Sequence, residues 1–173
     1  MELIIDTATN SASLAVSREG SVIAEIAWQA GRNHTVQLIP NIINMLKQSD
    51  VQLGEINYLI VTKGPGTFSG LRVGLATALG LVFSLDIPII AIGTLEAIAW
   101  PHSCLELPIC PIINAGRGEI ATAFFQTINR GWEKTKSEYI TSLDHLCSDI
   151  RDKIIFGGEI TPEQQAQIKR LSG

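Results

Sequence analysis

The sequence predicts an α/β protein of two lobes with mixed sheets that share one element order, βββαβα, over residues 1–100 and over a smaller, shortened lobe at 101–173. Three observations carry that expectation. In each half, strand-like apolar alternation precedes a helical pattern and a further strand. Tyr58 to Thr62 is a continuous apolar run of the kind found in a sheet covered on both faces. The segment after it reads as a helix whose glycines and near absence of charge set it apart from an ordinary surface helix. The halves share order but no sequence identity, so the repeat is one of architecture.

From the N-terminus, Leu3 to Asp6 is a short apolar strand, Ala12 to Ser17 alternates through Ala12, Leu14 and Val16, and Val22 to Trp28 alternates again. Arg18-Glu19-Gly20-Ser21 joins the last two as a hairpin turn. Asn33 is placed to cap a helix from His34 to Ser49, in which Val36, Leu38, Ile39, Ile42, Ile43 and Leu46 recur at helical spacing. Pro40 inside it predicts a kink or an early break. After Tyr58–Thr62 and the glycine helix come a strand from Ile87 to Ile92 and a short helix from Thr94 to Trp100.

The glycine helix breaks ordinary rules of composition. Gly70, Gly74 and Gly80 each weaken it by roughly 1 kcal/mol relative to alanine, about 3 kcal/mol together. That is a sizeable share of a small domain's stability, and close packing is the expected compensation. Gly70, Gly74 and Ala78 recur every four residues as a smooth strip that a backbone or second helix can approach. Leu71, Val73, Leu75, Leu79, Val82 and Phe83 surround it, and a helix apolar all round is either buried or an interface. A membrane span is set aside, because the uncharged run Val73 to Leu85 is 13 residues, short of the roughly 20 a span needs.

In the second half Ile109 to Asn114, Ile120 to Thr127 and Trp132 to Lys136 read as strands, with Asn129-Arg130-Gly131 as a turn and Pro111 weakening the first. Ser142 caps a helix to Arg151, Lys153 to Phe156 is a strand, and Thr161-Pro162-Glu163-Gln164 opens the last helix with a capping box.

The 173 residues are 46% hydrophobic and 17% charged, with a net charge of -4, which fits a globular protein that keeps some apolar surface for a partner. The 13 Lys and Arg are scattered rather than gathered into the basic patch of an autonomous nucleic-acid binder. Cys104, Cys110 and Cys147 form no C-x-x-C pair, so neither a disulfide framework nor a zinc site is suggested. Met1 leads directly into the first strand without a signal-peptide pattern, and a cytoplasmic location is expected.

Particular residues give a resemblance. Ile5-Asp6-Thr7-Ala8-Thr9, Gly31-Arg32-Asn33-His34, the 64–81 block with GPGTFSGLRVGLATA, and Gly93-Thr94-Leu95-Glu96-Ala97 are similar to the TsaB (YeaZ) family. The resemblance covers nearly all of residues 1–100 and thins afterwards to Ile112–Glu119 and Gly157-Gly158. It implies the actin-like (ASKHA) fold of two ribonuclease-H-like lobes. The function it implies is that of a non-catalytic subunit that binds TsaD, with TsaE as a further partner. That set transfers threonylcarbamoyl to N6 of adenosine 37 in tRNAs reading codons that begin with A. The TsaD family, of the same fold, carries a His-x-x-x-His metal pair whose matching positions here are Thr94 and Ile98. No metal ligation and no activity of its own are expected of this chain.

The expected docking seam is Leu38, Ile42, Met45 and Leu46 on the first helix with Gly70, Leu71, Gly74, Leu75 and Ala78 on the second, the outward face of each being left open. A homodimer through the same surface is expected when the chain is alone. Contact with tRNA is expected to be indirect, and no membrane is involved.

Asp6 and Thr7 stand where actin-like ATPases place a phosphate and magnesium loop, or they cap a strand end and turn. Gly157 and Gly158 stand at the position of an adenosine-binding loop, or in a turn before the last helix. With Gly116 on the 116–118 loop, these residues would be a vestigial nucleotide site, with ATP and Mg bound only in complex with partners. The rival function is a small ATP-dependent phosphotransferase of the same fold, using Asp6 and the Gly116 to Gly118 loop on phosphates. Gly64-Pro65-Gly66 lacks the Gly-Lys-Ser/Thr of a Walker loop. His34 reads as a helix-terminal hydrogen-bonding residue, and Arg117 and Glu119 as a solvated pair.

Overall fold

The computed structural model describes residues 1–31 and 33–171. Arg32 of the Gly31–His34 motif, and the expected end of the second lobe at Ser172 and Gly173, lie outside the described residues. The chain divides into two compact units, Met1–Gly93 and Thr94–Gly173.

The first unit holds β1 (Glu2–Asp6), β2 (Ser11–Arg18), β3 (Ser21–Gln29), α1 (His34–Gln48), β4 (Tyr58–Thr62), α2 (Phe68–Leu85) and β5 (Ile89–Ile92). Its sheet runs β3-β2-β1-β4-β5. β1 is antiparallel to β2, with Leu3 opposite Val16, and parallel to β4, with Leu3 opposite Leu59. Alternation along β1 and β2 turns Leu3, Ile5, Leu14 and Val16 to one face, where Leu38 and Met45 of α1 and Ala78 of α2 complete the core. Ile4 and Ile60 on the opposite face are half-buried, so full cover on both faces of this sheet is not met.

The second unit holds α3 (Thr94–Ala99), β6 (Ile109–Gly116), β7 (Glu119–Ile128), β8 (Gly131–Ser142), α4 (Leu143–Asp149), β9 (Ile155–Gly158) and α5 (Pro162–Leu171). Its order β8-β7-β6-β9 repeats β3-β2-β1-β4 strand for strand, the architectural duplication expected of ribonuclease-H-like lobes. β6 is the strand buried on both sides: Cys110 and Ile112 face α4 and α5, while Ile109 and Ile113 face α3. The boundary expected at residue 100 therefore moves to Gly93/Thr94. Leu95 and Ala99 of α3 are fully buried against Ile109, Ile113 and Phe125, which ties the helix to the second sheet.

Local signals account for most of the ends. Three hairpins turn on two residues of positive φ, Glu19-Gly20, Arg117-Gly118 and Asn129-Arg130, the geometry that suits the right-handed twist of paired strands. Ser142 accepts from the His145 backbone N–H at 3.2 Å, and Thr161 and Gln164 exchange both bonds of a capping box. Asn33 makes no side-chain cap bond, contrary to expectation. Pro40 neither ends nor breaks α1: it sits on the exposed side, where the carbonyl of Val36 can turn to water. Pro111 stays in the central strand because the β6–β7 register skips it. The Thr122 hydroxyl instead donates to the Pro111 carbonyl at 2.8 Å.

α2 is longer than the uncharged run suggested. Its 18 residues have a mean hydropathy of 1.6 and 17% of them are buried, so by length and composition alone it could cross a membrane. Its inward strip packs on β1 and β4, which makes it one wall of the first unit's core.

Candidate functional site

The glycine strip faces inward. Gly70, Gly74 and Ala78 are buried, and Thr7 at the end of β1 is what fills the space above them. The Thr7 hydroxyl donates to the Gly70 carbonyl at 2.8 Å. A Cβ at Gly70 would overlap the Thr7 carbonyl, and one at Gly74 would overlap the Thr7 hydroxyl. The close neighbour that the glycines require is the chain's own first strand.

Leu38, Ile42, Met45 and Leu46 of the expected seam are likewise buried in the core of the unit, and Leu71 is half-buried. Only Leu75 of that set is exposed. A partner cannot rest on side chains already packed inside, so the candidate docking surface is the opposite side of the same two helices.

That side is apolar as well. On α1, Val36, Ile39 and Ile43 are exposed, Ile43 to 58%; on α2, Phe68, Leu75, Leu79 and Phe83 are exposed, Phe83 to 91%. At 100° per residue the α2 residues fall within about 60° of Arg72, the one charge of the helix. Arg72 therefore marked the solvent side in the sequence, a signal that points to Leu79 and Phe83. On α1 the signal was excess width, since Val36, Ile39 and Ile43 form a second stripe beside the core stripe. Beside α1 lies a groove of about 430 Å³, lined by Ile39, Ile42, Ile43 and Leu46 of the helix, by Val51 and Leu53 after it and by Leu81 of α2, and edged by Lys47. The Arg72 guanidinium stacks over the Phe68 ring at 3.8 Å. Neither helix carries an acidic residue, so the exposed stripes are apolar and their charges, Lys47 and Arg72, are positive.

The nucleotide candidates serve the fold. Asp6 Oδ1 accepts from the Thr62 hydroxyl and the Ala8 backbone N–H, each at 2.9 Å, which favours the strand-end cap over a phosphate loop. Gly116 pairs with Glu119 across the Arg117-Gly118 hairpin turn. Gly157 and Gly158 end β9, and the chain turns there toward α5, the Ile160 backbone N–H donating to the Gly158 carbonyl at 3.0 Å. At Gly158, with φ +99°, a Cβ would overlap the Ile112 carbonyl on the neighbouring strand.

Thr94 and Ile98 do not fit a metal. Ile98 packs against the core around Phe125 and has no donor atom, and the single Thr94 hydroxyl is buried without a partner. Among the described residues no three His, Cys, Asp or Glu side chains gather to hold an ion. Burial pushes the Cys110 thiol up to about 11, which removes it as a nucleophile near neutrality. His34 does not act as the expected terminal hydrogen bonder, because neither ring nitrogen has a partner.

Residues 4–160 match the family model described as TsaD: tRNA N6-adenosine threonylcarbamoyltransferase. The chain is 31% identical over 174 residues to the tRNA threonylcarbamoyladenosine biosynthesis protein TsaB of Bacillus subtilis, covering 99% of this chain and 76% of that protein. The chain belongs to the TsaB family, within the wider TsaD family. Its identity to the Escherichia coli TsaB is 32%, over 80% of this chain and 61% of the relative, so the chain spans less than two thirds of that protein's length. Among solved structures, YeaZ from Pseudomonas aeruginosa superposes with a TM-score of 0.79 at 22% identity, covering 91% of this chain and 75% of the other, which shows the fold. A second structure, of an uncharacterized protein with similarity to peptidase YeaZ, gives a TM-score of 0.74 at 25% identity, covering 83% of this chain and 67% of the other.

Proposed function

We propose that the chain is a non-catalytic subunit in the synthesis of threonylcarbamoyladenosine in tRNA, acting by docking on a TsaD-type threonylcarbamoyltransferase. The observation that carries this reading is the exposed apolar stripe on each of two packed helices, Val36 and Ile43 on α1 and Leu79 and Phe83 on α2, with no acidic residue in either helix. Large exposed apolar surfaces mark interfaces, and an amphipathic helix of a partner suits such a face. Lys47 on α1 and Arg72 amid the α2 stripe select carboxylates on that partner.

Catalysis belongs to the partner in this reading, since the position of its metal pair holds Thr94 and Ile98 here. The same face mediates a homodimer when the partner is absent. Tight binding of ATP or Mg belongs to the complex, with TsaE as a further component, and contact with tRNA is made through TsaD. The cytoplasm, where tRNA is modified, is the proposed location. The experiment is tRNA modification by the purified set with and without this chain. Modification should fall sharply when it is left out, and undiminished modification would refute the role.

A further inference from the structure

Two polar side chains of the first unit are buried without a hydrogen-bond partner, and they meet at one place. Among the described residues of that unit, only the His34 ring nitrogens and the Thr67 hydroxyl are orphaned in this way. His34 is the first residue of α1 and is 3% exposed. Thr67 is the N-cap of α2, yet its side chain makes no cap bond. Both approach Gly70 in the first turn of α2: a Cβ there would stand 2.6 Å from Thr67 Oγ1 and 3.4 Å from His34 Nε2. The Thr7 hydroxyl gives its one proton to the Gly70 carbonyl and so donates to neither. A hydroxyl donor and an imidazole acceptor converging on one point are chemically complementary, and buried polar groups are nearly always paired.

We propose that these two groups form a latch between the N-terminal turns of α1 and α2, open in the free chain and closed when a partner docks, with Thr67 then donating to His34 Nε2. The inference rests on the docking face proposed above. The same two turns carry the upper end of that face: Val36 lies two residues beyond His34, and Phe68 follows Thr67, both exposed. A partner seated across Val36 and Phe68 bears on both turns at once. Closure pairs the Thr67 hydroxyl with His34 Nε2 in one bond, and because the bond exists only in the docked state it favours that state.

Thr67→Val removes the hydroxyl with little change of shape. Its effect is read on two quantities, the urea midpoint of the isolated chain and the calorimetric affinity for the TsaD of the same organism. The midpoint should stay or rise, because an unpaired buried hydroxyl is lost, while affinity weakens about tenfold, the worth of one hydrogen bond. Thr67→Ser should restore binding. Wild-type affinity in Thr67→Val would overturn the latch, as would a fall in its midpoint, which would mean that the bond already exists in the free chain. Ile43→Glu separates the two proposals. If it binds like the wild type, or if the folded wild type does not bind at all, the docking face fails and the latch with it. If it loses binding while Thr67→Val does not, the latch alone fails.

Discussion

Thr7 decides the meaning of the glycines. Its hydroxyl lies over Gly74 and donates to the Gly70 carbonyl, so even one added carbon at position 74 must turn the Thr7 side chain out of that bond or displace β1 from α2. Gly74→Ala is expected to destabilise the isolated chain by about 1–3 kcal/mol, the range for overpacking. Gly74→Leu, with a larger side chain at the same place, should fail to fold. Gly80 has nothing within 4 Å of its Cβ position, and Gly80→Ala should stabilise by about 1 kcal/mol through helix propensity. Urea midpoints of the two alanine variants should move in opposite directions. That glycine weakened this helix was legible in the sequence, but what it packed against was not, because Thr7 lies 63 residues away from Gly70. Cys110 supplies a pH test. Its thiol titrates near 9.0 when unfolded and near 11 when folded, so between those values the unfolded chain binds fewer protons and stability falls as pH rises. The wild type should lose about 2–3 kcal/mol relative to Cys110→Ala between pH 9 and 11, and nothing below pH 8. A parallel pH dependence of the two would contradict the buried assignment.

At the scale of elements, α1 and α2 each carry two apolar stripes, and only one of each is used by the core. The inner stripes, Leu38–Ile42–Met45 and Gly70–Gly74–Ala78, close on β1, β2 and β4; the outer ones are left in water. Replacing an outer residue by a charge should leave the fold intact and remove binding. Ile43→Glu and Leu79→Glu are each expected to keep the circular dichroism and urea midpoint of the wild type and to lose TsaD affinity by about 100-fold, the effect of a hot-spot residue. Element existence and order were legible because hairpin turns, capping boxes and apolar runs are local signals. The choice of stripe was not, since both stripes of a helix read alike until the strand beneath one is known. β8 shows the same limit. It runs to Ser142, beyond the Lys136 expected, because Tyr139 to Ser142 pair with β7 past a register shift, and the adjacent Tyr139 and Ile140 give no apolar alternation.

The whole molecule consists of two units of one strand order, and the docking face proposed for α1 and α2 belongs to the first. Asp6, Thr7, Gly116 and Gly158 serve strand ends and turns. Calorimetry of the isolated chain with Mg-ATP should accordingly give no tight binding, whereas a clear isotherm would revive the phosphotransferase alternative. Family membership was legible from residues 1–100, where motif density is highest. Alone, the docking face required the structure. The most direct measurement is threonylcarbamoylation of tRNA by the reconstituted set, run with the wild-type chain, without it, and with Ile43→Glu/Phe83→Glu. The account predicts that the double variant, folded as judged by its circular dichroism, supports no more modification than the set lacking the chain. Full modification with that variant would contradict it.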